Sequence, residues 1–479
     1  MRWMALHSDS SPSVLERILA VRVPLWLVAA IVIFFALATV SFGWLVMRSA
    51  NDERPLAKAA LAVASFPTET KAVFKEIARI LSGKPDHGPV MAYPPEQSWS
   101  EFQPVKSRLE GVGEGLLMRR GPATPARGWR VIAGAMQIHG SLQTAAVLLS
   151  PELEIVHYWP LIEDAEIGAH YSRPLRKMPH GLAVLSDGSV IYNFDGGASL
   201  HRKDICGRTL WAVPGDYHHS ITSDDTETTV WTHRDDETGD RAQKMHLMQV
   251  ATADGRIVKD ISVPDIIAAN PDIDILELRR LHTPDKTGNT RERPGRWMSD
   301  PIHLNDIDPL PRSLADRYPM FSPGDLLISA RELNLLFVMD PESLAIKWWK
   351  VGATIRQHDS DWNTDGRLSA FNNRMSRGYS TITKIDPATL ARSVAVDGRG
   401  MDLYSRHRGS HQPLPNGGWL ISSTQQGRIL EVSPDGKVAL DFYSRLTGDT
   451  PLYSMLSTSV FLPEDAVDPG ALKCGVNSQ

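Results

Sequence analysis

From about residue 128 onward the chain repeats one two-part unit, and no other feature limits its fold so tightly. The first part is an apolar strand, a turn carrying Asp, Ser, Pro or Gly, and a second apolar strand. It reads Ala146-Val-Leu-Leu-Ser-Pro-Glu-Leu-Glu-Ile-Val, then Leu336-Phe-Val-Met-Asp-Pro-Glu-Ser-Leu-Ala-Ile, Ile382-Thr-Lys-Ile-Asp-Pro-Ala-Thr-Leu and Ile429-Leu-Glu-Val-Ser-Pro-Asp-Gly-Lys-Val. Weaker copies at 200–213 and 247–263 bring the hairpins to six. The second part is a histidine, a short strand, a polar turn and another strand, beginning at His180, His218-His219, His303, His358 and His411. Five such halves precede five of the six hairpins, and the tail Tyr453-Ser-Met-Leu-Ser-Thr-Ser-Val-Phe-Leu is available to complete the hairpin near 146. A repeat of this length means stacked or radial units, and a ring closed by its own tail leaves few exposed strand edges. The predicted fold is an all-β, six-bladed β-propeller over 128–465, with a tail at 466–479.

Ahead of the repeat, Val23 to Met47 holds no charged residue. About 20 apolar residues cross a bilayer as a helix, and this run exceeds the ~7–15 of a cleaved signal's apolar core. It is read as a transmembrane anchor after an amino-terminal tail, 1–22. Arg2, Arg17 and Arg22 precede it and Arg48, Arg54 and Lys58 follow, so the basic residues on either side do not orient it. Within 48–127, Val73, Phe74, Ile77, Ile80 and Leu81 recur at helical spacing until Gly83 and Pro85, which predicts a membrane-proximal helix. Residues 87–127, rich in Pro, Gly and Arg, read as an irregular connection. The wide gap between His219 and His303 is filled by an insertion at 264–300, with a helix expected within Asp265 to Leu281. Net charge is −5, without the basic stripe of a nucleic-acid binder. Two cysteines, Cys206 and Cys474, allow one bridge, which spacing alone does not establish.

One histidine at a strand start is ordinarily a structural residue. Five at the same place in a radial repeat should converge at one end of the central channel, where crowding titratable groups costs desolvation without a functional return. Two chemistries fit: metal binding by neutral imidazoles, or a nucleophilic imidazole whose neighbours hold an anion. Arg331 favours the second, because a guanidinium repels a divalent cation and matches tetrahedral oxyanions with paired donors. Neither an HExxH nor a CxxC signature occurs, so no metal or cofactor is expected.

Over roughly Gly128 to Leu446 the sequence resembles the bacterial arylsulfotransferases. The resemblance rests on His-x-Asn at His303–Asn305, Ser-x-Arg at Ser329–Arg331, Gln-His-Asp at Gln357–Asp359 and, more weakly, the Leu-Pro-Asn-Gly turn at Leu414–Gly417. It implies a sulfuryl transfer without a nucleotide donor, from an aryl sulfate to a phenolic or other hydroxyl acceptor. His358 would be the transiently sulfated residue, His303 and Arg331 the ligands of the sulfuryl oxygens, and His219 a further active-site histidine. His180, His411, Arg356 and Asn305 are expected around them as substrate-binding residues, with Asp359 or Asp361 orienting His358 or receiving a proton. The family places such a domain in the periplasm, here on an inner-membrane anchor. Two departures stand out: an extra Pro-Leu-Pro-Arg-Ser-Leu-Ala-Asp-Arg-Tyr-Pro segment between His303 and Arg331, and an anchor where the best-known members carry an amino-terminal β domain. The competing readings are a non-catalytic propeller that binds an anion or a protein partner, and a metal-dependent lyase or hydrolase.

Overall fold

The computed structural model describes residues 24–49, 63, 90–91, 99–162, 178–195, 199–235, 244–276, 282–284, 290–292, 302–446, 453–470 and 472. The chain divides into two units, one built from Met1–Pro85 with Arg280–Arg296, the other from Asp86–Arg279 with Trp297–Gln479. In the first, helix α1 (Leu25–Ser49) is uninterrupted. Its stretch Leu25–Val46 is long and apolar enough to cross a membrane, and none of it is buried in protein. A short hairpin, His282–Pro284 with Thr290–Glu292, belongs to the same unit. The helix expected around Val73–Leu81 lies outside the described residues.

The second unit is a six-bladed propeller. Five blades are built from four sequential antiparallel strands each, spanning 178–214, 216–262, 304–351, 358–397 and 410–445, here blades 2 to 6, and the sheet of blade 6 is extended by further strands. Blade 1 takes its outer strands from Trp129–Ile138, Ser141–Leu149 and Ile155–Pro160, and its innermost strand from the tail, Leu456–Leu462. The hairpin that lacked a histidine-bearing half is thus completed by the end of the chain, as its missing partner implied. All six apolar hairpins are the third and fourth strands of their blades, counted outward from the channel.

Position in the blade explains the composition of each strand. In blade 4, Leu326–Ala330 and Leu335–Met339 are buried along their whole length. Both their faces meet a neighbouring blade, which demands a continuous apolar run instead of alternation. The outermost strands, such as Arg392–Asp397, face water and are charged.

Residues 103–120 differ from their composition. Leu116–Arg120 pairs with Val438–Arg445 as an added outer strand of blade 6, and Val112–Glu114 pairs with the Trp129 strand of blade 1. Gly115 sits at φ 88, where a Cβ would meet the Arg445 carbonyl oxygen at 2.0 Å. Glycine-rich sequence here permits close strand approach. The helix expected within Asp265 to Leu281 is α2 (Val263–Ala269), which starts two residues earlier, at a capping box between Ser262 and Asp265, and ends at Ala269. The segment added between His303 and Arg331 forms a 3-10 turn, Arg312–Arg317, and buries Tyr318. The Tyr318 hydroxyl donates toward Asn363 and Arg367 carbonyls at 2.9 and 2.8 Å, tying blade 4 to blade 5.

Blades 1 and 6 are also joined by a buried ion pair. Arg130 Nη2 donates to Glu431 Oε2 at 2.6 Å, with both side chains almost fully enclosed. Glu431→Ala strands the guanidinium, and a buried charge left without its partner costs about 3–5 kcal/mol. Chemical denaturation should show a loss of that size; a loss under about 1 kcal/mol would mean that water or a carbonyl takes over.

Candidate active site

Five of the six innermost strands carry a bulge at the same end. The register slips between Pro179 and Leu182, His218 and Ile221, Leu304 and Asp306, His358 and Ser360, and Leu456 and Thr458. His219, His303 and Asp359 adopt positive φ there, at 66°, 55° and 51°. Non-glycine residues in that region cost about 1–3 kcal/mol each and tend to sit where function needs a side chain re-aimed.

The result is a packed imidazole cluster. The His219 ring lies 4.7 Å from those of His180 and His303, 4.4 Å from His218 and 5.7 Å from His233. Among the described residues, neither ring nitrogen of His219 or His233 has a hydrogen-bond partner. Burial first, and neighbouring positive groups second, hold His180, His219, His233 and His358 well below the ordinary imidazole value. At neutral pH all four are therefore uncharged.

The hydrogen bonds fix which nitrogen does what. Asn373 Nδ2 donates to the carbonyls of Ser405 and Arg408 at 2.8 and 2.6 Å, so its Oδ1 is the acceptor. His358 Nδ1 lies 2.7 Å from that Oδ1 and must carry the proton. The lone pair is left on Nε2, which accepts from the Arg408 N–H at 3.2 Å. Similarly, His180 Nδ1 accepts from the His219 N–H at 3.1 Å, so its Nε2 is a donor. His180, Asn305, His358, Arg408 and Ser457 line one cavity at the channel mouth. After burial, the Arg331 guanidinium depresses His358 more than any other group.

The structure sorts the expected residues. It gathers His180, His219 and His303 into one ring cluster, and His358 and Asn305 into the cavity that His180 also lines. Asn305 Nδ2 donates to the Gln357 carbonyl at 2.8 Å, while its buried Oδ1 has no described partner. His411 stands apart: Nδ1 is 2.8 Å from Asp359 and Nε2 is 2.7 Å from Ser369. Arg356 donates to Glu332. Asp359 contacts His411, and Asn373 takes the orienting role on His358. Gln357 is buried, its amide donating to Ser329 Oγ and the carbonyls of Ala330 and Leu335.

Arg408, Asn373, His233 and Glu332 were not legible in the sequence as site residues. The innermost strand of blade 6 has no bulge, and the non-glycine residue with positive φ beside it is Arg408 at 58°, ahead of the strand. Arg408 therefore occupies the position that a histidine or its neighbour holds elsewhere, and His411 falls further down the channel.

Below the imidazoles, Asp306, Asp308, Asp359 and Asp361 face one another from blades 4 and 5. Asp306 is pushed up to about 7, by burial first and by Asp359 second, although it accepts from Ser360 N and Oγ at 2.7 Å. Its folded value lies above the unfolded 3.8, so the folded protein binds this proton more tightly. The stabilisation is complete below 3.8 and is lost as pH rises through about 7. Asp306→Asn is thus expected to raise the melting temperature relative to wild type at mildly alkaline pH, with the gap closing towards the unfolded value. A gap independent of pH would show that Asp306 is ionised throughout.

A closed six-bladed ring with buried, neutral imidazoles at one end of its innermost strands, and Arg408 lining the cavity beside them, defines a class: β-propellers with a histidine-lined channel end. The chain belongs to the arylsulfotransferase (ASST) family, whose model matches residues 181–445, more than half its length. Membership supports a sulfotransferase-like enzyme acting on small molecules. A comparison with curated proteins returned no match. Among solved structures, the chain is similar to a protein of unknown function from Bacteroides caccae (11% identity, 66% of this chain and 93% of that one, TM-score 0.42). It is also similar to virginiamycin B lyase from Staphylococcus aureus (11% identity, 61% and 86%, TM-score 0.34). Likenesses at this level carry no argument about activity.

Proposed function

We propose that the protein transfers a sulfuryl group from an aryl sulfate to a hydroxyl acceptor in two steps, through His358, without a nucleotide donor. The observation that carries this reading is the commitment of His358 Nδ1–H to Asn373, which leaves the Nε2 lone pair beside the cavity. In the first step Nε2 attacks sulfur, an N–S bond forms, and the S–O(aryl) bond breaks with its electron pair on the departing oxygen. That oxygen takes a proton from a neighbouring imidazole or from solvent. In the second step the acceptor oxygen attacks sulfur, loses its proton to the same pool, and the N–S electrons return to Nε2. Splitting the displacement gives two lower barriers. Arg331, His303 and His219 are the donors assigned to the sulfuryl oxygens, whose negative charge persists throughout. The incoming sulfuryl group displaces the 3.2 Å contact from Arg408 N–H.

The propeller is assigned to the periplasmic side of an inner-membrane anchor. Cys206 is disulfide-bonded, and such bonds are rare in the cytosol. The family resemblance points the same way.

The metal-dependent reading has one observation in its favour: ligand atoms of Asp359, Asp361 and His411 lie within 4.8 Å of one another. Both His411 nitrogens are already engaged, however, and the group excludes the imidazole cluster. Incubation with 4-nitrophenyl sulfate and phenol separates the readings. Nitrophenolate release that depends on acceptor and survives chelation is expected. No release would leave a binding module, and release abolished by chelation would favour the metal enzyme.

A further inference from the structure

Glu332 places a carboxylate inside a group of cations. Its Oε1 accepts from Arg331 Nε and Nη2, at 3.0 and 2.7 Å, and from Arg356 Nη2. All three side chains are largely enclosed, at 19% exposure for Glu332, 15% for Arg331 and 26% for Arg356. The backbone holds them in place. Arg331 N–H donates to the His303 carbonyl at 2.9 Å and Glu332 N–H to that of Ile302 at 3.2 Å. Arg356 N–H donates to Asn334 Oδ1 at 2.7 Å. His407 feels the same field: burial, then Arg331, Arg406 and Arg356, push it down to about 4, with Glu332 opposing them. The loop that bears His358 and the turn that bears Arg331 are therefore joined through one anionic oxygen.

We propose that Glu332 determines specificity: its fixed negative charge tunes the site to a monoanionic sulfate ester and against a dianionic phosphate ester of the same alcohol. The proposal rests on the assignment of Arg331 to the sulfuryl oxygens. Both esters present a tetrahedral group of similar size with the same oxygen geometry, so shape and paired donors cannot separate them. Charge does, because a phosphate monoester carries about −1.5 to −2 at neutral pH and a sulfate monoester carries a single negative charge. Repulsion from a fixed carboxylate scales with ligand charge and so weighs about twice as heavily on the dianion. Discrimination by an unfavourable contact with the wrong ligand is a common device where the favourable contacts are shared. Glu332 also orients the two guanidinium groups, and Glu332→Gln keeps an acceptor oxygen for them while removing the charge.

The test uses the full-length protein in detergent at mildly alkaline pH. Turnover of 4-nitrophenyl sulfate is measured with phenyl phosphate as inhibitor. Glu332→Gln, which keeps the shape and removes the charge, is expected to lower the phosphate inhibition constant about tenfold relative to KM for the sulfate ester. Glu332→Asp should stay near wild type. Should Glu332→Gln melt early, Arg356→Met removes the opposite charge from the same bridge and must move the ratio the other way. An unchanged ratio in Glu332→Gln, or an equal shift in Glu332→Asp, would overturn the proposal while leaving the sulfotransferase reading intact. Absence of sulfate turnover by the wild type would instead remove that reading, and this proposal with it.

Discussion

His358→Ala should lower nitrophenolate release from 4-nitrophenyl sulfate by about four orders of magnitude or more, because members of a nucleophilic unit fail together when one is lost. The fold should survive. The substitution leaves Asn373 Oδ1 without its donor, a deficit of about 1–3 kcal/mol, in a ring otherwise intact around its own closing strand. The pair of measurements is turnover and melting temperature on the same preparation. Full activity in a folded variant would mean that sulfur is attacked by another group, and His180, whose Nε2 carries a proton, would be a poor substitute.

Arg331→Met carries the second-largest effect. Removing one preorganised donor from a developing or persistent oxyanion typically costs about 10²–10³ in kcat. Here the loss also removes one of the two guanidinium groups on Glu332 Oε1 and leaves it the contact from Arg356. Arg331→Lys should recover little, since an ammonium cannot reproduce the two N–H contacts now made by Nε and Nη2. Steady-state kinetics on both variants, with the melting temperature as control, is the check. A change confined to KM would place Arg331 in ground-state binding alone.

The blades were readable from the chain because each outer hairpin is compressed between neighbours and needs an unbroken apolar run ending in a turn. Leu336–Met339, followed by Asp340-Pro341, is a clear instance. The closing strand was readable by subtraction, since one hairpin lacked its histidine half. The bulge was not. It inserts one or two residues without altering hydrophobic pattern, so His411 looked equivalent to His358 although blade 6 presents Arg408 instead. Asn373 was hidden for another reason. It follows a buried strand, and its tie to His358 arises from cross-strand pairing fifteen residues away. Glu332 sits in a turn, where carboxylates are unremarkable until two guanidinium groups are found on one of its oxygens. Residues 103–120 read as irregular because glycine weakens isolated strands, yet here it admits them against the rim of blades 1 and 6.

The most direct measurement is intact mass followed by peptide mapping of the protein after brief exposure to aryl sulfate with no acceptor. The account predicts the mass of one added sulfo group, located on His358, labile to acid and lost on addition of phenol. An unmodified protein that nonetheless turns over donor and acceptor together, or an adduct on a different residue, would contradict it.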